Sequence, residues 1–304
     1  MPTLCFGCNI FGWTVDEPTS FRLLDALLER GVNFLDTADV YSRWAPGHSG
    51  GESETIIGRW MKARGNRDRV ILATKVGMDM GEGRVGLNAG YIAQAVEASL
   101  RRLQTDYIDL YQSHKDDPDT PQEETLGAYA RLIEAGKVRV VGASNFSAER
   151  LSEALSLADT QGLPRYESLQ PEYNLYERSI FEGELARVCR ENEVGVITFF
   201  SLAAGFLTGK YRSEADFGKS PRGERSMPRY MNERGMRVLA ALDEVAAARG
   251  VEPATIALAW LMHKPAVTAP IASATSLKQL ETLIAATAVK LSADEMARLD
   301  GTGP

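Results

Sequence analysis

Cysteine is scarce in this chain, with three residues (Cys5, Cys8 and Cys189) among 304. Three cannot build a disulfide framework. The Cys5-x-x-Cys8 pair has no second pair or nearby histidine to complete a zinc site, so no metal is expected. On a strand the two would point to opposite faces, which suits a structural role. Histidine is equally rare (His48, His114 and His263). No apolar run approaches the ~20 residues of a membrane-crossing helix, and no signal peptide is visible at the start. The expectation is a cytoplasmic protein with no membrane partner. Positive charge is in deficit: 34 Lys and Arg against 41 Asp and Glu leave a net charge of −7. That argues against a nucleic-acid partner bound through its phosphates. No GxGxxG follows a strand, which disfavours a Rossmann cofactor domain, and GMDMGEGRVG and GHSGG lack the lysine and spacing of a P-loop.

What is present is alternation. Hydrophobic residues make up 44% and charged residues 25%, an ordinary balance for a chain with a sizeable core. Short apolar runs read as strands at Leu4–Gly7, Asn33–Asp36, Val70–Lys75, Tyr107–Gln112, Val138–Ser144, Ser168–Glu172, Gly195–Phe199 and Val267–Ile271. Between them lie segments with apolar residues three and four apart: Ser20–Arg30, Ala89–Leu103, Gln122–Ala135 and Ala148–Ala158. Gly31, Gly65 and Gly136 stand where helix C-termini favour glycine. Eight strands with intervening helices predict an α/β (β/α)8 TIM barrel, a fold that commonly uses ~250 residues, as one domain over residues 1–304. Two long loops, Ser42–Gly51 and Arg212–Asn232, interrupt the rhythm on the C-terminal face and are expected to cover substrate and cofactor.

Four polar residues end successive apolar runs in the first half: Asp36 and Tyr41 in GVNFLDTADVY, Lys75 in RVILATKVG and His114 in YIDLYQSHKDD. Each has an ordinary alternative: a turn cap for Asp36, a packed aromatic for Tyr41, a satisfied core imidazole for His114. A lone lysine beside a buried run is harder to dismiss. In a parallel barrel the ends of these strands gather at the C-terminal face, so an acid, a phenol, an amine and an imidazole would converge. That set suits proton donation to a carbonyl receiving hydride. Tyr41 would be the acid, Lys75 would lower its pKa, Asp36 would orient Lys75, and His114 would hydrogen-bond the carbonyl oxygen.

The ordered segments GVNFLDTADVY, ATKVG, YIDLYQSHKDD, VVGASNFS, LQPEYNL and SLAAGFLTGKY resemble the aldo-keto reductases over essentially the whole chain, from Leu4 onwards. Within that family the chain is most similar to soluble bacterial members of the branch that includes potassium-channel β subunits. The resemblance implies a nicotinamide-dependent oxidoreductase using NADPH/NADP+ on a small-molecule carbonyl substrate. It assigns the same roles to Asp36, Tyr41, Lys75 and His114. It also implies that Ser144, Asn145 and Gln170 hold the nicotinamide carboxamide, and that Phe199, with Phe200 as the neighbouring alternative, stacks on the nicotinamide ring. Gly7, Cys8 and Asn9 would lie near that ring. Ser201, Leu202, Ala203, Gly205 and Lys210 would meet the pyrophosphate, with Arg222 clamping it from above.

At the adenosine end, Ser273, Thr275, Ser276, Lys278 and Gln279 are the expected contacts. Here the chain departs from the family pattern: Ser273 replaces a glycine, and Thr282 and Leu283 replace a Glu-Asn pair. Ser276 and Lys278 remain suited to a 2′-phosphate. Trp13, Trp44, Met78, Met80 and Tyr230 are expected to line an apolar substrate pocket. Two other functions compete. One is an NADP-binding regulatory subunit with vestigial turnover, against which the intact His114 weighs. The other is a barrel lyase or isomerase using Lys75 as a Schiff-base nucleophile, opposed by Asp36, which would keep the amine protonated.

Overall fold

A computed structural model, which describes residues 3–303, contains a closed barrel of eight parallel strands in chain order. The strands are β1 (Cys5–Gly7), β2 (Phe34–Asp36), β3 (Ile71–Val76), β4 (Ile108–Ser113), β5 (Val138–Ser144), β6 (Tyr166–Gln170), β7 (Gly195–Thr198) and β8 (Val267–Ala272). The helices are α1 (Glu17–Glu29), α2 (Glu52–Arg64), α3 (Ala89–Leu103), α4 (Gln122–Glu134), α5 (Ala148–Gln161), α6 (Glu184–Glu191), α7 (Gly223–Ser226), α8 (Glu233–Arg249), α9 (Pro253–Met262), α10 (Leu277–Ala285) and α11 (Ala293–Asp300).

Local chemistry sets the helix ends. Asp16 accepts the Thr19 N–H at the start of α1, and Asn88, Ser147, Asn232 and Ser276 do the same for α3, α5, α8 and α10. Gly65, Gly162 and Gly250 close α2, α5 and α8 in the left-handed conformation. Helix α9 is apolar all round, and Ala254 to Leu261 are all buried. No single helix among the described residues is long and apolar enough to cross a membrane.

Strand pleat divides the core in two. Cys5, Phe34, Ala73, Leu110, Ile197, Ala269 and Ile271 face the barrel interior, whereas Phe6, Leu35, Leu72, Tyr111, Leu169 and Val196 pack outward against the helices. Cys5 belongs to the inner cluster and Cys8 to the outer one. Strand β6 begins two residues earlier than the sequence suggested, and it ends at Gln170 because Pro171 has no N–H to continue the ladder. The long loop before α8, expected from the sequence as a cover for substrate and cofactor, holds short turns of 3-10 helix at Glu214–Lys219 and Met227–Arg229, flanking α7.

Candidate active site

The inward series that is apolar at mid-barrel turns polar at the C-terminal mouth. Cα pairing places Gly7 beside Asp36 and Lys75 beside Gln112. The Lys75 ammonium is fully buried. It donates to Asp36 Oδ2 at 2.6 Å, to the Thr37 carbonyl at 2.8 Å and to Tyr41 Oη at 3.3 Å. His114 follows β4, its N–H held by the Val76 carbonyl at 2.8 Å. Its ring centroid lies 5.8 Å from that of Tyr41. The amide of Asn145 fixes the His114 carbonyl at 2.9 Å, from a left-handed backbone (φ 56°). The structure thus brings Asp36, Tyr41, Lys75 and His114 together.

Burial dominates the electrostatics. On its own it would weaken the Lys75 ammonium, but Asp36 and Tyr41 outweigh it and hold the amine well above its ordinary range. Burial also raises the Tyr41 phenol, and the opposing pull of Lys75 is smaller. This corrects the expectation that Lys75 brings the phenol below its usual pKa. The net shift is upward because the phenol's own desolvation is the larger effect. His114 is pushed well below its ordinary value by burial and then by Lys75 and Lys115, so its ring is neutral near pH 7. Its Nδ1 has no partner within the protein. A neutral imidazole carries one N–H and can hydrogen-bond a carbonyl oxygen.

The far side of the mouth offers a second set of groups. Phe199 packs on the interior cluster at the end of β7, and its neighbour Phe200 is 43% exposed with ring centroids 5.3 Å apart. Ser144 Oγ donates to the Gln170 carbonyl at 2.9 Å. Gly7 is required by close approach: a Cβ there would sit 2.7 Å from Ser273 Oγ. Ser273 in turn donates to the Gly7 carbonyl and to Asn9 Oδ1, bracing β8 against β1. Cys8 contributes no thiol to the mouth, since its fully buried Sγ turns back to the Phe6 carbonyl.

After β7 the backbone of Ala203, Ala204 and Gly205 is left-handed (φ 48°, 55° and 98°). Here too a correction is needed. The Ala203 and Gly205 N–H groups are spent on the Phe200 and Leu202 carbonyls, and Ser201 Oγ on Thr198. The tight turn uses these groups to close itself. Leu202 is half-buried against the outer core. Lys210 sits over the Tyr211 ring and Arg222 over Trp13, both without an acidic partner among the described residues. At the start of α10, Gln279 accepts from the Thr275 N–H and hydroxyl, Ser276 caps the helix, and Lys278 is exposed. A left-handed turn, a half-buried aromatic and three cations without acidic partners fit a dinucleotide.

Trp44 (44% exposed) meets Tyr41 edge-on at 5.4 Å and Trp13 at 5.7 Å, forming an aromatic rim with Arg222. Met78 is half-buried just beyond β3. Tyr230 does not line this rim. It is 2% exposed, stacked on Phe206 at 5.3 Å and against Tyr176 at 5.0 Å, anchoring the long loop in the core. Met80 likewise packs beneath Gly50 rather than facing a pocket.

A family model described as the aldo/keto reductase family matches residues 3–303. The chain belongs to the aldo/keto reductase family. It is 36% identical over 300 residues to the aldo-keto reductase YhdN of Bacillus subtilis (strain 168), covering 96% of this chain and 86% of that protein. It is 35% identical over 309 residues to the uncharacterized oxidoreductase YrpG of the same organism, covering 99% and 92%. The aldo-keto reductase yakc [NADP(+)] of Schizosaccharomyces pombe is 33% identical over 307 residues, covering 96% and 85%. Family and names together support an oxidoreductase.

Two residues that the sequence reading passed over stand out in this aldo/keto reductase. Gln112 is fully buried and touches Asp36. Its signal was available in the alternation Leu110, Gln112, His114, which puts a polar side chain on the inward face of a buried strand. Asp39, in the loop carrying Tyr41, is 2% exposed and neither of its carboxylate oxygens has a partner within the protein. Burial, then the nearby Glu54, pushes its pKa up to about 8. Nothing in the local sequence distinguishes it from an exposed turn aspartate.

Proposed function

We propose that this chain is an NADPH-dependent reductase of aldehydes or ketones, with Tyr41 as proton donor. The observation that carries the reading is the buried Asp36–Lys75 pair in contact with the half-buried Tyr41, beside a neutral His114. The dihydronicotinamide would supply the hydride. The residues suited to hold it are Ser144, Asn145 and Gln170 at the carboxamide, Phe199 against the ring, Lys210 and Arg222 at the pyrophosphate, and Lys278 with Ser276 at the 2′-phosphate.

As hydride arrives, negative charge develops on the carbonyl oxygen and needs a donor at hand. A phenol raised by burial stays protonated through neutral pH and is ready to give its proton. The Lys75 ammonium then stabilises the phenolate left behind, and Asp36 keeps that ammonium charged and in place. His114 donates to the same carbonyl oxygen and sets its position. Trp13, Trp44 and Met78 favour an apolar carbonyl compound over a small charged acid.

The test is NADPH absorbance loss across a panel of aldehydes and ketones, with Tyr41→Phe as control. Turnover of at least one carbonyl compound that vanishes in the control supports the reading. Turnover that survives in Tyr41→Phe, or its absence across the panel, overturns it.

A further inference from the structure

Below the Lys75 ammonium, three inward side chains from β2, β4 and β6 close a triangle. Asp36 Oδ2 is taken by Lys75, and Asp36 Oδ1 accepts from Gln170 Nε2 at 2.8 Å and from Gln112 Nε2 at 3.3 Å. Gln112 Oε1 accepts from Gln170 Nε2 at 3.2 Å. All three residues are buried, at 0–3% exposure. The layer beneath is apolar, with Phe34, Ala73, Leu110 and Ile197 facing the interior. A leucine or methionine would fill the Gln112 position without the cost of desolvating an amide. The amide recovers that cost only through Asp36 and Gln170, to which all its hydrogen bonds go.

We propose that Gln112 is a positioning residue for the reaction, pinning Asp36 Oδ1 so that Oδ2 faces Lys75 while bracing Gln170 for the nicotinamide carboxamide. The inference rests on the function proposed above. Gln112 acts both directly on Oδ1 and through Gln170, whose amide it holds in line for the shorter bond to the same oxygen. With both oxygens so occupied the carboxylate does not swing away from the ammonium, and the Lys75–Tyr41 contact is held from two residues away. The donors also spread the Asp36 charge, which limits how far Asp36 raises the Tyr41 phenol. Among the described residues, the ionisable groups around Tyr41 are Asp36 from β2, Lys75 from β3, His114 beyond β4, Arg222 from the long loop and, within electrostatic reach although its thiol points away, Cys8 beyond β1.

Reduction needs the phenol protonated, so its rate falls as pH rises through the Tyr41 pKa. Removing a donor from Asp36 strengthens the negative potential at Tyr41 and moves that alkaline limb to higher pH. A second carboxylate at this position moves it further. Gln112→Met, of similar shape, is expected to lower kcat about tenfold, less than the ~100-fold that a misplaced reacting group can cost. KM for the carbonyl substrate should stay within about threefold, because the amide does not meet it. The alkaline limb should move up in Gln112→Met and more in Gln112→Glu.

The experiment is the pH profile of kcat for the parent and both variants, with folding checked by circular dichroism. A lower kcat with the ordered upward movement of the limb supports the proposal. An unmoved limb in both variants overturns it, whatever happens to kcat, because a purely structural role lowers the rate without retuning the phenol. If Gln112→Met does not fold, Gln112→Glu carries the test alone, since it keeps the shape and an acceptor oxygen. Tyr41→Phe run alongside separates the two readings. Full activity there sinks the donor assignment itself, whereas an inactive Tyr41→Phe with parent-like Gln112 variants sinks only the role of Gln112.

Discussion

The Lys75 ammonium lies 3.3 Å from the Tyr41 hydroxyl and 4.9 Å from the centre of its ring. The contact spans 34 residues of sequence. It exists because β2 and β3 are paired with Asp36 beside Ala73, leaving Lys75 one inward step further up the barrel. The amine therefore reaches the loop that follows Asp36, where Tyr41 sits.

Tyr41→Phe should abolish reduction while leaving cofactor binding nearly intact. The substitution removes one oxygen and keeps the ring that packs against Trp44 and His114. Loss of a positioned general acid should cost at least ~100-fold in kcat. Steady-state rates with NADPH and a cofactor titration check both halves, and a rate within a few-fold of the parent would remove Tyr41 from the mechanism.

Lys75→Met should be as damaging to turnover and, unlike Tyr41→Phe, should also destabilise the fold. Lys75 and Asp36 are a buried pair, 0% and 4% exposed at the side chain. Taking away the ammonium leaves a buried carboxylate held only by amides, at a cost of about 3–5 kcal/mol. Denaturant unfolding of the two variants side by side distinguishes them. Equal stability of Lys75→Met and parent would mean that Asp36 is better hydrated than its burial implies.

Most of the barrel was legible because short apolar runs and glycine-ended helical segments are local signals. The polar ends of β2, β3 and β4 could be named for the same reason, since strand ends of a parallel barrel share one face. What was hidden depended on contacts between distant segments. Tyr230 looks like a loop aromatic until Phe206 and Tyr176 are folded against it. The upward shift of Tyr41 depends on how deeply the phenol is enclosed, which no neighbouring residue in the sequence reveals. The Ala203 and Gly205 amides, expected to meet a pyrophosphate, are engaged within their own turn, because Ala203 to Gly205 curl into the left-handed region.

Asp39→Asn should remove a pH dependence from stability. The Asp39 carboxyl is raised to about 8 in the folded chain, whereas an unfolded aspartate titrates near ~3.9. Its contribution is therefore fully present below about pH 4 and is lost as pH rises towards 8, where the native carboxyl ionises without a partner. Each pH unit over which only the unfolded chain is ionised removes about 1.4 kcal/mol. Relative to the parent, Asp39→Asn should gain at least that much stability between pH 5 and pH 8. A difference between the two proteins that stays constant over that range, by thermal or urea unfolding, would contradict this account.

Leu283→Asn, which restores the residue common in the family, should weaken the protein. Leu283 is 3% exposed and belongs to the outer core, on the face of α10 that is turned inward. An asparagine there forfeits the buried methyl groups and places an unpaired amide among apolar side chains, at about 2–4 kcal/mol. Thr282→Glu, at a half-buried position, should cost little by comparison. Unfolding midpoints rank the two, and a stable Leu283→Asn would show that this helix face can open towards the cofactor.

NADPH should bind more tightly than NADH, through Lys278 and Ser276 at the start of α10. Ser276 already accepts the Gln279 N–H as the helix cap, so the ammonium of Lys278 is the principal discriminator. Lys278 is exposed and has no acidic partner among the described residues, which leaves it available but also screened. A charge-assisted contact of that kind should favour NADPH by about tenfold at low salt, or about 1.4 kcal/mol. Raising ionic strength shortens the Debye length to about 8 Å at 0.15 M and less beyond, so the preference should shrink with added salt. Lys278→Ala should bring the two dissociation constants closer together at every salt concentration. Quenching of Trp13 and Trp44 fluorescence at the mouth gives both constants directly. Equal constants for NADPH and NADH at low salt would leave the fold and the Asp36–Lys75–Tyr41 arrangement untouched, and would remove the phosphate site at α10.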